Sequence, residues 1–182
     1  MDRLVAFVLL VCLSPILILL LIITTIDLKC NPIFVQKRTI ASITEFNFYK
    51  IRSMRKTAPE VPTGEFGAPH LHITRWGKFL RSNSLDELLN LISIIQGNMN
   101  FIGPRPIMTC EYELINLRAS CNIRSKPGIT GLAQVNGRDL ITITRKVACE
   151  RIYERRKSSV ILRLYILLKT AEIVLKKSGI AH

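Results

Sequence analysis

The sequence predicts a largely helical α/β protein that is attached to a membrane at its N-terminus. Three observations lead to this fold class. An uncharged apolar run covers residues 4–26, helix-periodic apolar patterns follow at residues 85–95 and 160–175, and short alternating segments with proline and glycine turns lie between them. The length of 182 residues suits about one folded domain. We expect an anchor over residues 1–29 and a catalytic or binding domain over residues 30–182.

The apolar run is long enough to cross a bilayer. Its 23 residues extend about 35 Å as a helix, and a hydrocarbon core is about 30 Å thick. Ser14-Pro15 lies in the middle, where proline removes a backbone hydrogen bond and disturbs the carbonyl four residues earlier. Each half then covers about half the bilayer, with the Ser14 hydroxyl available to the freed carbonyl. A kinked span and a re-entrant helix-break-helix both fit these residues.

Positive charge follows directly behind the anchor. The chain has 26 Lys and Arg against 13 Asp and Glu, a net charge of +13, and Asp2 and Arg3 cancel each other before the apolar run. This start lacks the basic n-region of a signal peptide. Basic residues just behind a membrane segment favour the cytoplasmic side. We therefore expect the domain on the cytoplasmic face, whichever path the anchor takes.

The clearest local pattern is a helix start at Ser84. Ser84 with Glu87 three residues later has the spacing of a capping box, in which each side chain bonds the other residue's backbone amide. Gly97 is the expected stop. The apolar residues between them, at helical spacing, are Leu85, Leu88, Leu89, Ile92 and Ile95.

Short extended segments and rigid turns surround this helix. If residues 46–50 are extended, Phe46, Phe48 and Lys50 lie on one face. The segment Gly103-Pro104-Arg105-Pro106 predicts a rigid turn that presents an arginine. Pro127-Gly128 has the residue order of a type II turn.

The C-terminal segment predicts a basic amphipathic helix, in which an apolar stripe lies opposite a mainly basic side. A core helix and a helix on an anionic membrane surface both have this pattern. The stripe consists of Val160, Leu164, Leu167, Leu168, Ala171, Val174 and Leu175, and the polar side of Arg163, Lys169, Glu172, Lys176 and Lys177.

Asp86 and Glu87 are adjacent carboxylates at a helix start in a basic protein. Capping by Glu87 and a favourable helix-dipole contact of Asp86 would explain both without catalysis. An ionised Asp can also act as a nucleophile toward phosphorus when Mg²⁺ and cationic side chains neutralise the phosphoryl charge. Turns and aromatic segments supply such cations at Lys50, Arg52, Arg81, Arg105 and Arg138.

Other uses of the basic charge are less well supported. The sequence has no P-loop, which disfavours an ordinary nucleoside triphosphatase, and no helix-turn-helix, zinc-finger or RNA-binding signature. A second class stays open: a membrane-tethered adaptor that binds anionic lipid or nucleic acid without catalysis. The pair Asp86-Glu87 discriminates between the two, because an adaptor needs it only for capping.

Short motifs follow one another in a fixed order along nearly the whole chain. They are Ser14-Pro15, residues 32–36, residues 48–54, residues 77–88, Gly103-Pro104-Arg105-Pro106, residues 126–131 and residues 133–138. Together they resemble the monotopic phosphoglycosyl transferases, a family of bacterial sugar transferases. The chain resembles the minimal form of this family, which consists of the catalytic domain.

The resemblance implies a membrane-monotopic enzyme on the cytoplasmic face of the bacterial inner membrane, with Ser14-Pro15 marking a re-entrant helix. In this family the aspartate, here Asp86, attacks a UDP-sugar, releases UMP and passes the phosphosugar to undecaprenyl phosphate. This is the first membrane step of O-antigen, capsule or exopolysaccharide synthesis, with no nucleic acid partner. Asp86 is then nucleophile and Mg²⁺ ligand, and Glu87 is its catalytic partner. The implied substrate-binding residues are Lys50, Arg52, Arg81, Arg105, Gln134 and Arg138.

Several positions depart from the family's usual pattern. Leu89 replaces Pro, Asn98 replaces Asp, and Leu132 replaces Trp. Near the C-terminus, Glu150 and Arg163 replace Asp. None of these changes removes the dyad, and they leave the sugar, the polymer pathway and the oligomeric state open.

Overall fold

The computed structural model describes residues 1–39, 45–58, 71–137 and 141–176. The helices within these ranges are α1 (Asp2–Leu28), α2 (Arg75–Ser82), α3 (Leu91–Ile95), α4 (Tyr112–Ser120), α5 (Leu132–Val135), α6 (Ile143–Arg156) and α7 (Val160–Lys176). The strands are β1 (Ile33–Thr39), β2 (Phe46–Ile51), β3 (Asn100–Ile102), β4 (Ile107–Met108) and β5 (Gly128–Thr130). A 3-10 segment (Leu85–Asn90) precedes α3 directly. The predicted class, α/β with helix predominating, is confirmed.

Two small sheets carry the basic segments. β1 pairs antiparallel with β2 and β4, so that Arg38 lies opposite both Phe46 and Met108. Alternation along β2 buries Phe46 and Phe48 and leaves Lys50 half-buried on the same face, as predicted. Arg38 and Lys50 both lie over the Phe48 ring, with the Arg38 Cζ 5.6 Å and the Lys50 Nζ 5.3 Å from its centroid. The second sheet is the parallel pair β3 and β5.

Helix α1 continues through Pro15 as one helix of 27 residues. Pro15 has no backbone N–H for the Val11 carbonyl four residues earlier. The Ser14 hydroxyl donates to that carbonyl at 2.7 Å. The expected role of Ser14 is therefore present, whereas the division of the anchor into two helical halves is not confirmed. The hydroxyl bond lets the helix continue without an unsatisfied carbonyl at this point.

Both ends of α1 contact the domain. At its start, Asp2 Oδ2 accepts a hydrogen bond from the Phe101 amide at 3.4 Å, and Asp2 Oδ1 lies 3.9 Å from the Arg163 guanidinium. At its end, Asp27 Oδ2 accepts from the Thr74 hydroxyl at 2.6 Å. Because 27 helical residues extend about 40 Å, α1 lies along the domain over its whole length.

The inner face of α1 belongs to the core, and the outer face is apolar and exposed. Ala6, Leu17 and Leu20 are buried in two clusters with residues of β2, α2 and α3. By length and composition, α1 is apolar and long enough to cross a membrane. Its exposed apolar residues include Leu4, Phe7, Val8, Val11, Ile18, Leu19, Ile22 and Ile26.

The predicted apolar stripe of α7 faces outward. Ile166 is completely buried, with Leu162 packed beside it, and neither belongs to that stripe. Leu164, Leu168 and Leu175 of the stripe are exposed. The stripe is therefore not the face by which α7 packs on the core. Lys177, predicted for its polar side, lies outside the described residues.

A buried ion pair accommodates one of the departures from the family pattern. Glu150 and Arg118 have side chains only 3% and 1% exposed. Arg118 Nε donates to Glu150 Oε2 at 2.8 Å, and a second guanidinium nitrogen donates to Oε1. Burial raises the pKa of Glu150, while Arg118 lowers it. This bidentate pair joins α4 to α6.

Candidate active site

The carboxylate dyad lies in a 3-10 segment, and Ser84 before it has a left-handed backbone. Ser84 has φ 55° and ψ 22°, and its side chain makes no capping hydrogen bond. Glu87 forms an ion pair with Lys50 on β2. The predicted capping box is therefore wrong, because a contact distant in sequence engages the Glu87 carboxylate. A left-handed conformation is costly for a residue with a Cβ, so the dyad follows a strained position.

Asp86 is buried, with 7% of its surface exposed. Burial raises the pKa of Asp86 above its usual range, and Glu87 raises it as well, whereas Lys50 and Arg81 lower it. Arg81 also donates to the Met54 thioether at 3.5 Å. Asp86 therefore interacts electrostatically with one further carboxylate, Glu87, and with two cations, Lys50 and Arg81. An ionised Asp86 depends on its cationic neighbours.

A narrow pocket lies beside the dyad, and Glu87 is the member of the dyad that lines it. Arg38, Lys50 and Arg105 supply cationic walls, and Gln134 a polar one. Lys50 Nζ lies 3.0 Å from Glu87 Oε1. The cavity volume is about 20 Å³, room for one water molecule. The Lys50–Glu87 ion pair thus forms part of the pocket wall.

The Arg105 turn is held by close backbone contacts between β3 and β5. The Gly103 amide donates to the Thr130 carbonyl, and the Gly128 amide to the Pro104 carbonyl, each at 2.9 Å. A Cβ at Gly128 would lie 2.1 Å from the Gly103 nitrogen. Gly128 is not left-handed and begins β5, so the predicted type II turn is wrong. The close approach requires glycine there, and the rigid turn does present Arg105 to the pocket, as predicted.

Arg38 is a pocket residue that the sequence analysis missed. Its Nη2 donates to Gln36 Oε1 at 2.7 Å. Its buried Nε and the buried Oε1 of Gln134 have no hydrogen-bond partner among the described residues. Burial, followed by the charge of Arg105, lowers the pKa of Arg38 to about 10, so it stays charged at neutral pH. Both atoms belong to side chains that line the pocket.

The remaining predicted substrate-binding residues have different positions. Arg52 does not line the pocket: its Nε donates to the Asn31 carbonyl at 3.0 Å, and its guanidinium lies 5.2 Å from the Phe34 ring centroid. Arg81 affects Asp86 from outside the pocket wall. Arg138 lies outside the described residues. Lys50, Arg105 and Gln134 are thus the predicted residues that meet at one cavity.

Comparison with known proteins identifies the family. The profile of the family described as "Bacterial sugar transferase" matches residues 1–177. The chain belongs to the bacterial sugar transferase family. This sugar transferase is 30% identical to the exopolysaccharide production protein ExoY of Sinorhizobium fredii. The match covers 98% of this chain and 85% of ExoY. The family predicted from the motifs is confirmed.

Longer relatives match the sugar transferase over part of their own length. It is 32% identical to the galactosyl transferase CpsE of Streptococcus agalactiae over 81% of the chain, but spans only 35% of that protein. It is 31% identical to the UDP-glucose:undecaprenyl-phosphate glucose-1-phosphate transferase of Caulobacter vibrioides over 75% of the chain and 52% of that protein. The match to the family profile, over residues 1–177, includes the dyad and the described pocket residues.

Proposed function

We propose that this sugar transferase moves a phosphosugar from a UDP-sugar to undecaprenyl phosphate through a covalent intermediate on Asp86. The observation that carries the proposal is a pocket lined by Glu87 and the cations Lys50, Arg105 and Arg38, with Asp86 beside Glu87 and within electrostatic reach of Lys50. The Caulobacter relative is named a UDP-glucose:undecaprenyl-phosphate glucose-1-phosphate transferase, which supports the same reaction class.

The reaction proceeds in two phosphoryl transfers. An oxygen of the Asp86 carboxylate attacks the β-phosphorus of the UDP-sugar, the bond to the bridging oxygen breaks, and UMP leaves. The phosphosugar is then bound to Asp86 as an acyl phosphate. An oxygen of undecaprenyl phosphate attacks the same phosphorus, and the bond to Asp86 breaks. The products are UMP, undecaprenyl diphosphate sugar and a free Asp86 carboxylate.

The cations and Glu87 have distinct tasks in this scheme. Lys50 moves from Glu87 to a phosphate of the donor, and Arg105 and Arg38 neutralise the remaining phosphoryl charge. Glu87, released from Lys50, accepts a proton from the acceptor phosphate. The free Oε1 of Gln134 accepts a hydrogen bond from a hydroxyl of the donor. The ion pair between Lys50 and Glu87 thus holds both side chains until a phosphate ligand separates them.

The carboxylates fit a Mg²⁺ ion that the substrate helps to hold. The described residues contain no group of three or more His, Cys, Asp or Glu side chains able to hold a metal alone. Mg²⁺ commonly takes one or two carboxylates and completes its shell with substrate phosphates and water. Asp86, assisted by Glu87, is the protein ligand we propose, and the bound ion would neutralise charge on the diphosphate.

We further infer that both ends of α1 stay on the cytoplasmic side of the membrane, as the re-entrant path requires. The contacts of Asp2 and Asp27 with the rest of the protein support this, because a spanning helix would place one of its ends, and the residues that this end contacts, on the opposite side of the hydrocarbon core. A cysteine-bearing extension before Met1, in a background without native cysteines, should resist an impermeant thiol reagent in intact cells and react after lysis. Reaction in intact cells would contradict the re-entrant path.

The proposed reaction is tested by UMP release from a panel of UDP-sugars with undecaprenyl phosphate and Mg²⁺. We expect release with at least one donor, and its loss in Asp86→Asn. Glu113→Gln, which changes an exposed carboxylate on α4, is the matched control and should keep wild-type activity. No UMP release with any donor, together with binding to anionic vesicles, would favour the adaptor instead.

A further inference from the structure

An apolar chamber lies beside the dyad, between the two helices with exposed apolar faces. Its cavity volume is about 270 Å³. The walls come from α1, β3, α5 and α7, and the hydroxyls of Thr130 and Thr170 bond each other at one side at 2.7 Å. The apolar wall residues include Leu9, Leu13, Phe101, Val135, Ile173 and Val174.

The chamber and the cationic pocket adjoin and share part of their walls. Glu87, Ile129 and Gln134 line both cavities. A single ligand can therefore place an anionic group beside Lys50 and Arg105 and extend an apolar chain into the chamber. A wholly polar ligand leaves the chamber unused, and a wholly apolar ligand leaves the cations unused. The two adjoining cavities fit an amphiphile with one phosphate head and one chain.

The chamber reaches the outer surface of the protein between α1 and α7. Leu9 and Val174 line it and are nevertheless 38% and 40% exposed. The outer faces beside these two residues carry further exposed apolar side chains, such as Phe7 on α1 and Leu168 on α7. An apolar chain that leaves the chamber here continues along an apolar surface and not into water.

We propose that the chamber binds the isoprene units next to the phosphate of the polyprenyl phosphate acceptor. This inference rests on the proposed function. It adds that the protein, and not the bilayer alone, recognises the start of the lipid chain. A common phospholipid fits less well, since it carries two chains and a phosphodiester, whereas the acceptor has one chain and a terminal phosphate. Burial of the chain then brings the acceptor phosphate to Glu87.

A chamber-filling substitution tests this assignment. Val174→Trp places a large side chain in the wall, and Ile161→Trp places the same side chain on the exposed surface of α7, away from the chamber. We expect Val174→Trp to raise the KM for undecaprenyl phosphate at least tenfold, and Ile161→Trp to leave it within twofold. Exchange of labelled UMP into the UDP-sugar, which needs no acceptor, separates this effect from loss of the dyad.

Crosslinking gives a second readout on the unchanged protein. An undecaprenyl phosphate analogue with a diazirine on its second isoprene unit should label peptides that contain residues 132–135 and 170–174. A diazirine-bearing phosphatidylglycerol should not label them. Equal labelling by both lipids, labelling confined to the outer face of α1, or an unchanged KM in Val174→Trp would overturn the chamber assignment. Absence of UMP exchange in the wild type would instead overturn the proposed function.

Discussion

Lys50 on β2 and Glu87 in the 3-10 segment form an ion pair, with Nζ 3.0 Å from Oε1, across a separation of 37 residues in the sequence. The contact removes Glu87 from the capping role that its local spacing suggests. It also occupies the pocket in which the proposed reaction places the diphosphate. Lys50 further lowers the pKa of Asp86, against the larger effect of burial.

Replacement of Lys50 should shift the pH dependence of the first transfer. Asp86 must be ionised to attack, and loss of the Lys50 charge raises its already raised pKa further. In Lys50→Met, the acidic limb of UMP exchange at saturating donor should therefore move to higher pH. Arg52→Met, which removes a cation outside the pocket, should leave the limb in place. Coincident limbs for wild type and Lys50→Met would exclude this electrostatic role.

Arg38 should bind the UDP-sugar through several N–H groups of its guanidinium and not by charge alone. Arg38→Lys keeps the positive charge but removes the planar set of N–H donors from a side chain that lines the pocket. We expect kcat/KM for the UDP-sugar to fall at least tenfold, equivalent to about 1.4 kcal/mol of transition-state stabilisation. Arg55→Lys changes an exposed arginine in the same way and serves as the control. Equal kcat/KM values for Arg38→Lys and Arg55→Lys would show that the Arg38 guanidinium does not bind the UDP-sugar.

Substitutions of Ser84 distinguish the left-handed backbone from a helix cap. A true Ser cap loses about 1 kcal/mol on change to Ala, whereas Ser84 makes no side-chain cap bond. Ser84→Ala should leave the free energy of unfolding unchanged within about 0.5 kcal/mol, and Ser84→Gly should raise it by about 1 kcal/mol, because Gly adopts positive φ freely. Denaturant unfolding in detergent measures both. Loss of stability in both variants would support the capping box.

The buried pair of Arg118 and Glu150 should be costly to break singly. Glu150→Ala leaves the Arg118 guanidinium buried without its carboxylate, and such changes cost about 3–5 kcal/mol. The double variant Arg118→Met with Glu150→Leu should recover most of that loss. The exposed Glu172, paired with Lys169 and Lys176, supplies the control Glu172→Gln, whose unfolding midpoint should stay unchanged. If the double variant lost as much unfolding free energy as Arg118→Met and Glu150→Leu lose together as single variants, the two side chains would not interact.

Local patterns in the sequence predict much of this fold. The apolar helix α1 follows from an uncharged run, the burial of Phe46 and Phe48 from alternation, and the end of α3 from Gly97, which has φ 84°. Ordered motifs identify the family. Each of these properties depends on residues close together in the chain, so a single sequence contains the necessary information.

The errors concern contacts between distant segments. Glu87 pairs with Lys50 from another element, and Arg38 reaches the pocket only because β1 pairs with both β2 and β4. Gly128 is required by the approach of Gly103, not by a turn. The helical spacing of α7 predicts one apolar stripe but does not predict what this stripe contacts. Ile166, on a different face of the helix, is the residue buried in the core. Strand register and docking decide these points, and neither follows from local spacing.

The most direct test of the account is to locate the phosphosugar on the protein. The enzyme is incubated with its UDP-sugar and Mg²⁺ without acceptor, quenched, digested, and fragmented by mass spectrometry, with Asp86→Asn treated in parallel. We expect one phosphosugar on Asp86 for each UMP released, its loss on addition of undecaprenyl phosphate, and no adduct in Asp86→Asn. An adduct on Glu87, or UMP release that always requires the acceptor and leaves no adduct, would contradict it.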